Sequence, residues 1–148
     1  MAEIRQAIAL DPNYADNYLG LGIILGFAGQ PEEAIKSIKT GMRLNPRYSG
    51  AYYPSNLGWA YRLAGRREEA LAPLQEALTL APNFLPTHVV LAGCYAELGW
   101  QEEAQAQAAE VLRLNPQFSM EAWGRMLPYK DPATLERMLA SLRKAGLK

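Results

Sequence analysis

The chain has 148 residues, 49% of them apolar, which is the size of one domain with a continuous hydrophobic core. Its 15 Lys and Arg residues balance 15 Asp and Glu residues, so we expect neither nucleic acid nor a membrane surface as a partner. The longest mostly apolar run, residues 19–28, is far shorter than the roughly 20 residues that span a membrane. Cys94 is the one cysteine, and the N-terminus lacks an apolar signal segment, so we predict a cytoplasmic protein.

An internal repeat is the main signal in the sequence. A Leu-x-Pro motif recurs with its prolines at Pro12, Pro46, Pro82 and Pro116, which are 34, 36 and 34 residues apart. Inside each interval, a glycine is followed after two residues by Glu-Glu-Ala. The three copies are Gly29 with Glu32-Glu33-Ala34, Gly65 with Glu68-Glu69-Ala70, and Gly99 with Glu102-Glu103-Ala104. Each interval is therefore predicted to be one pair of helices.

Residues 2–14 are predicted to be half a repeat, since Ile4, Ala7 and Ile8 occupy the apolar slots of a second helix without a first. The chain thus begins in the middle of a motif, which indicates a fragment of a longer protein. A repeat cannot bury its apolar face alone. We therefore expect residues 2–10 either to pair with a second copy of the chain or to fray.

Residues 15–48 are predicted to form the first complete repeat. Leu21 and Leu25 give one helical face, Gly29 can end that helix in the left-handed conformation, and Pro31 suits the first position of the next helix. The paired glutamates follow in the first turn, where the helix dipole favours negative charge. Because the pair recurs in every copy, we interpret it as structural and not as an acid–base pair.

Residues 49–84 and 85–118 are predicted to be the second and third repeats, followed by C-terminal capping helices in residues 119–148. Pro54 must lie in the first turn of its helix or kink it. Ser119 and Asp131 are predicted helix caps, with Pro132 at the first helical position. The last helix is expected to cover the open end of the stack.

Together these residues resemble the tetratricopeptide repeat family, whose pattern runs over about 34 residues. The matching positions are Tyr18, Leu21, Gly22, Leu25, Ala34, Ile38 and Pro46, then Leu57, Gly58, Tyr61, Ala70, Leu74, Ala77 and Pro82, then Leu91, Ala92, Tyr95, Ala104, Val111 and Pro116. The resemblance implies an all-α, right-handed solenoid of antiparallel helix pairs. It also implies a protein-binding scaffold, with no cofactor and no catalytic residues.

In that family the first helix of each pair lines a concave groove that binds a protein or peptide. The positions carried over as partner-binding residues are Leu19, Ile23, Phe27, Tyr52, Ser55, Trp59, Arg62 and Val89. We expect Trp59 to be the exposed anchor, since Trp dominates binding hot spots. The alternative is that Phe27 and Leu63 pack against neighbouring repeats, leaving only Tyr52, Trp59 and Arg62 accessible.

The chemistry of this lining favours an apolar partner. Family members that hold the acidic tails of chaperones use Lys, Asn and Arg side chains, and of those slots only Asn56 keeps the required residue type. An amphipathic helix or a neighbouring domain of the same protein suits the groove better.

The tail also resembles the C-terminus of bacterial adenylate/guanylate cyclases that carry these repeats behind a catalytic domain. The residues concerned are 127–132 and the helical stripe Leu135, Met138, Leu139 and Leu142. This resemblance implies an alternative function, the regulatory or oligomerisation region of a nucleotide cyclase, with catalysis in an upstream domain absent from these residues.

Catalysis by the chain itself is not expected. His88 and Cys94 are six residues apart on one predicted helix, about 120° apart around its axis, which is too far for a nucleophile and base to share a proton. One His and one Cys cannot complete a four-ligand zinc site.

Overall fold

The computed structural model describes all residues 1–148, and it contains helices without any strand. The helices are α1 (Ala2–Leu10), α2 (Ala15–Phe27), α3 (Pro31–Leu44), α4 (Tyr52–Leu63), α5 (Arg67–Leu80), α6 (Leu85–Leu98), α7 (Gln101–Leu114), α8 (Met120–Arg125) and α9 (Pro132–Lys144). Helices α2 and α3, α4 and α5, and α6 and α7 pack as three pairs. The predicted right-handed solenoid of antiparallel helix pairs is confirmed.

Local sequence signals set the ends of these helices. Gly29, Gly65 and Gly99 have φ values of 83°, 77° and 80°, the left-handed conformation that lets a glycine end a helix tightly. The paired glutamates lie in the first turns of α3, α5 and α7, as predicted. Pro54 lies in the first turn of α4, where the missing N–H leaves no intrahelical bond unmade.

Small residues allow the two helices of each pair to approach closely. Ala34, Ala70 and Ala104 are fully buried between the helices. A methyl group at Gly58 would overlap the Leu74 side chain, so a larger residue at this position would push α4 and α5 apart. The low helix propensity of glycine is thus offset by the close packing of the two helices.

Helix α1 packs on α2 at the N-terminal end of the stack. Ile4 and Ile8 are partly buried against the core, but α1 contains no fully buried residue, and Leu10 is 81% exposed. The half repeat is therefore helical, with much of its apolar surface in contact with solvent.

Helices α8 and α9 follow the third pair. The Ser119 hydroxyl accepts a hydrogen bond from the Ala122 N–H at 3.3 Å, and the Asp131 carboxylate accepts one from the Ala133 N–H at 3.0 Å, so both predicted caps are confirmed. Helix α9 packs chiefly against α6. No helix in the chain has both the length and the hydropathy needed to cross a membrane.

Candidate functional site

The concave face is formed by α2, α4 and α6, and the C-terminal segment, residues 127–148, lies across one side of it. The backbone N–H of Lys130 donates to the carbonyl of Phe27, at the end of α2, at 2.9 Å. The Arg137 guanidinium donates to the carbonyl of Leu63, at the end of α4, at 3.3 Å. The sequence predicts only that the last helix covers the open end of the stack. The structure shows that this segment also crosses the concave face.

An aromatic cluster holds the beginning of this segment. The ring of Tyr129 lies edge-on to Phe27, with centroids 4.8 Å apart, and Phe27 in turn lies 4.9 Å from Trp59. The indole N–H of Trp59 donates to the Tyr129 hydroxyl at 2.8 Å. Removal of Tyr129 from water raises the pKa of its hydroxyl, since burial disfavours the phenolate.

A buried ion pair lies beneath α9. The guanidinium of Arg62 is 3.0 Å from the Glu97 carboxylate, and that carboxylate also accepts a hydrogen bond from Arg67 at 2.9 Å. Arg62 also donates to the Ser141 hydroxyl and, at 3.4 Å, to the carbonyl of Met138. These bonds satisfy a charge that would otherwise be costly to bury, and they connect α4 and α6 to α9.

Two glycines on the concave face make room for these large side chains. A methyl group at Gly26 would overlap the Trp59 ring, and one at Gly93 would overlap the Arg62 guanidinium. Each glycine thus allows a side chain of α4 to lie flat against a neighbouring helix.

The other side of the concave face is open. It contains an apolar hollow of about 260 Å³, which is bounded by α2, α4 and α6 and by α8 and Leu127. Its lining consists of Ile23, Phe27, Tyr52, Ser55, Asn56, Trp59, Phe84, Pro86, Val90, Trp123 and Leu127. Eight of these eleven residues are hydrophobic, and none carries a Lys, Arg, Asp or Glu charge, so the hollow suits an uncharged group.

The structure divides the predicted partner-binding residues into two groups. Five of them line the hollow, namely Ile23, Phe27, Tyr52, Ser55 and Trp59. The other three do not, since Leu19 lies in the core while Arg62 and Val89 lie beneath the C-terminal segment.

The predicted exposure of Trp59 and Arg62 is wrong. Trp59 is 9% exposed and Arg62 is 3% exposed, because the C-terminal segment covers both side chains. The alternative expectation, that these two remain accessible with Tyr52, is wrong for the same reason. Only Tyr52, at 53% exposure, is accessible as expected. Whether any of these residues binds a partner stays a prediction.

Residues outside the concave-face pattern complete the hollow, and the repeat pattern does not predict their position there. Trp123 and Leu127 come from the segment after the last repeat. The only sequence signal for them is their apolar character, since Leu127 lies beyond the end of α8.

The chemically reactive side chains lie away from the hollow. The Cys94 thiol is buried and hydrogen-bonded to the carbonyl of Arg67 at 3.3 Å, and burial raises its pKa to about 11. His88 is hydrogen-bonded instead to Gln107 and to the carbonyl of Pro82, each at 2.7 Å. No group of three or more His, Cys, Asp or Glu side chains is arranged to hold a metal ion.

Comparison with known proteins agrees with this geometry. Family models for the tetratricopeptide repeat match residues 4–36, 55–84 and 85–118. The first match includes most of α1 and the whole of α2.

Several solved structures share the fold. The crystal structure of MamA is 23% identical, with a TM-score of 0.69, and the match covers 96% of this chain and 82% of that one. The first tetratricopeptide repeat domain of Spaghetti (RPAP3), bound to an HSP90 peptide, is 21% identical with a TM-score of 0.68. The match covers 91% of this chain and 92% of that one. YrrB, described as having an unusual peptide-binding site, is 26% identical with a TM-score of 0.64, over 97% and 73%.

One curated relative matches over a short stretch. Putative adenylate cyclase 3 of Rhizobium meliloti (strain 1021) is 47% identical over 38 residues, which are 26% of this chain and 6% of that protein. The chain therefore matches only a small part of this relative. The repeated helix pairs, the matched family models and the shared solenoid show that the chain belongs to the tetratricopeptide repeat family.

Proposed function

We propose that this protein binds a partner polypeptide in the open hollow of its concave face. The observation that carries the proposal is the apolar lining of the hollow, which leaves Tyr52 half exposed beside Ile23 and Trp123. Apolar concave surfaces with aromatic walls are typical of protein interaction sites. Among the lining residues, Ile23, Phe27 and Tyr52 are partly or largely exposed, whereas Ser55 and Trp59 are buried.

Two structural relatives support a polypeptide as the partner class, because RPAP3 is bound to an HSP90 peptide and YrrB has a peptide-binding site. The lining of this hollow contains no Lys or Arg that could pair with an acidic tail. The partner segment is therefore apolar where it enters the hollow. Nucleic acid is disfavoured by the zero net charge of the chain.

Peptide selection followed by titration tests the proposal. A library of random twelve-residue peptides would be selected on the immobilised wild-type chain, and the enriched peptides titrated by tryptophan fluorescence. Ile23→Glu and Tyr52→Glu should each weaken binding by about tenfold or more, since each places an unpaired charge at the hollow. Leu112→Glu, an exposed position on α7, is the matched control. Equal binding by all four proteins, or no enrichment, would exclude the hollow as the site.

The proposal assigns no catalytic role to the chain. The Cys94 thiol remains protonated at neutral pH, because its pKa is raised to about 11, and no base contacts it. A free buried thiol also suits a reducing compartment, and a cytoplasmic location is part of this proposal.

A second candidate is a regulatory or oligomerisation region of a bacterial nucleotide cyclase, with catalysis in an upstream domain. The short match to Putative adenylate cyclase 3 favours it. Sequencing the genomic DNA upstream of the Ala2 codon tests this candidate. A cyclase domain in the same reading frame would support it, and an in-frame stop without such a domain would exclude it.

We also propose that α1 pairs with α1 of a second copy. Ile4 and Ile8 are only partly buried, and Leu10 is largely exposed, so the helix retains apolar surface for a self-complementary contact. Light scattering at high concentration should show a dimer for the wild type and a monomer for the Ile4→Glu, Ile8→Glu double variant. A monomeric wild type would refute the pairing.

A further inference from the structure

The chain itself shows what its concave face can bind. Residues 127–129 have no regular secondary structure, and they lie against the face as a partner segment would. The Tyr129 ring contacts Phe27, and its hydroxyl accepts a hydrogen bond from the Trp59 indole N–H. The next residue, Lys130, donates its backbone N–H to the carbonyl of Phe27 at the end of α2. One aromatic side chain and one backbone bond thus hold a non-helical segment.

The open hollow is continuous with this internal interface. Phe27 and Trp59 contact Tyr129 on one side and line the hollow on the other. Leu127, from the same segment, also lines the hollow. A partner in the hollow would therefore contact the same two aromatic rings that hold Tyr129.

The size and chemistry of the hollow restrict its occupant. Its volume of about 260 Å³ lies below the roughly 300–1,000 Å³ of sites for drug-sized ligands, so it suits a side chain of a larger partner. Five aromatic rings line it, which favours an aromatic side chain over an aliphatic one. A charged side chain would lose its hydration without gaining an opposite charge. Helix α9 already occupies the adjoining surface of α6, and a partner helix would be about 10–12 Å across, so a narrower non-helical segment suits the remaining surface better.

From these observations we infer that the hollow accepts an uncharged aromatic side chain presented by a non-helical segment of the partner, as the adjoining surface accepts Tyr129. The inference rests on the proposed function, because it specifies the chemistry of the partner at the same site.

Short synthetic peptides test this inference. Acetylated and amidated peptides of sequence Gly-Ser-Pro-X-Ser-Gly, with X as Trp, Tyr, Leu, Glu or Lys, would be titrated calorimetrically into the full chain. The proline disfavours helix in the peptide. Peptides with Trp or Tyr should bind at least about tenfold more tightly than those with Glu or Lys, and more tightly than the Leu peptide. Tyr52→Ala should remove most of this preference, and Leu112→Ala should not.

The outcomes separate this inference from the broader proposal. Equal or tighter binding of the Glu, Lys or Leu peptide would overturn the aromatic preference, and so would the absence of binding by all five peptides. Tighter binding of a helix-locked peptide that carries the same X residue, without the proline, would overturn the non-helical segment. In each of these cases the random-library selection still decides whether the hollow binds polypeptides at all.

Discussion

The two sides of the concave face are built from the same three helices but have opposite environments. On the covered side, the C-terminal segment buries Arg62 and Glu97, whereas on the open side Tyr52 remains 53% exposed. The pattern of the repeat assigns both Arg62 and Tyr52 to the groove. The difference shows that a segment outside the repeats decides which part of a periodic surface remains available for binding.

Glu97→Gln should produce the largest effect, on the covered side. It would leave the buried Arg62 cation without its carboxylate, which destabilises a fold by about 3–5 kcal/mol. Urea unfolding followed by circular dichroism measures this change. Glu110→Gln, which removes the carboxylate of the exposed pair with Arg113, should have little effect. Similar values for the two variants would show that the covered side is not sealed from water.

Gly26→Ala should destabilise the chain by about 1–3 kcal/mol, because the added methyl group overlaps the Trp59 ring. Gly20→Ala, in the same helix, is the matched control. Its methyl group would meet only the Ile4 side chain at 3.4 Å, an ordinary contact, so the higher helix propensity of Ala should stabilise α2 by up to about 1 kcal/mol. Thermal unfolding of both variants measures the contrast, and a shift of the same sign in both would contradict it.

Tyr129→Phe tests the hydrogen bond at the border between the two sides. Without the hydroxyl, the indole N–H of Trp59 loses its partner, which should cost about 1–2 kcal/mol. Amide exchange should also become faster at Lys130, whose N–H bonds to Phe27. Unchanged exchange at Lys130 would show that the ring alone holds the segment.

Alkaline pH should lower the free energy of unfolding, because Tyr53 and Tyr129 titrate at higher pH in the folded state than in the unfolded state. Burial raises the pKa of both hydroxyls, and the hydrogen bond from Tyr53 to Asp16 raises that of Tyr53 further. In the unfolded chain they titrate near the ordinary tyrosine value of about 10. The unfolded state therefore loses these protons first, so stability is complete below about pH 10 and falls above it. Urea midpoints across this range should fall less steeply for the Tyr53→Phe, Tyr129→Phe double variant.

Tyr52→Ala should produce the smallest change in stability, below about 1 kcal/mol, because the side chain is exposed and loses mainly its contact with Phe84. Its effect should be seen in peptide binding instead. A loss of stability close to that of Glu97→Gln would mean that the open side contributes to the fold as the covered side does.

Most of the fold could be predicted because its determinants are local and repeated. Gly29 and Pro31 mark the turn between the two helices of the first pair. The glycine of this turn recurs at 34- to 36-residue intervals. Pro54 was predicted to lie in the first turn of its helix or to kink it, and it lies in the first turn of α4. These signals depend only on backbone conformation, which neighbouring residues largely determine.

The binding surface could be predicted only in part. Periodicity places Trp59 and Arg62 on the concave side correctly, but their burial depends on Tyr129 and Ser141, which are 70 and 79 residues away in sequence. The sequence pattern of α4 does not predict which distant residues will pack against it. Gly26 and Gly93 were the available clue, because two glycines within helices imply close approach by large side chains.

The path of the C-terminal segment has a mechanical consequence. Lys130 is bonded to the end of α2, Arg137 to the end of α4, and the carbonyl of Lys144 accepts a hydrogen bond from Gln101 at 2.6 Å, at the start of α7. In a stack of repeats, the curvature is the sum of small rotations between neighbouring repeats. A stack without cross-contacts can therefore bend by small changes at each repeat interface. Here the C-terminal segment, through Lys130 and the following helix α9, contacts all three pairs. These bonds oppose rotation of the three pairs relative to one another, so we expect the curvature of the stack to vary little.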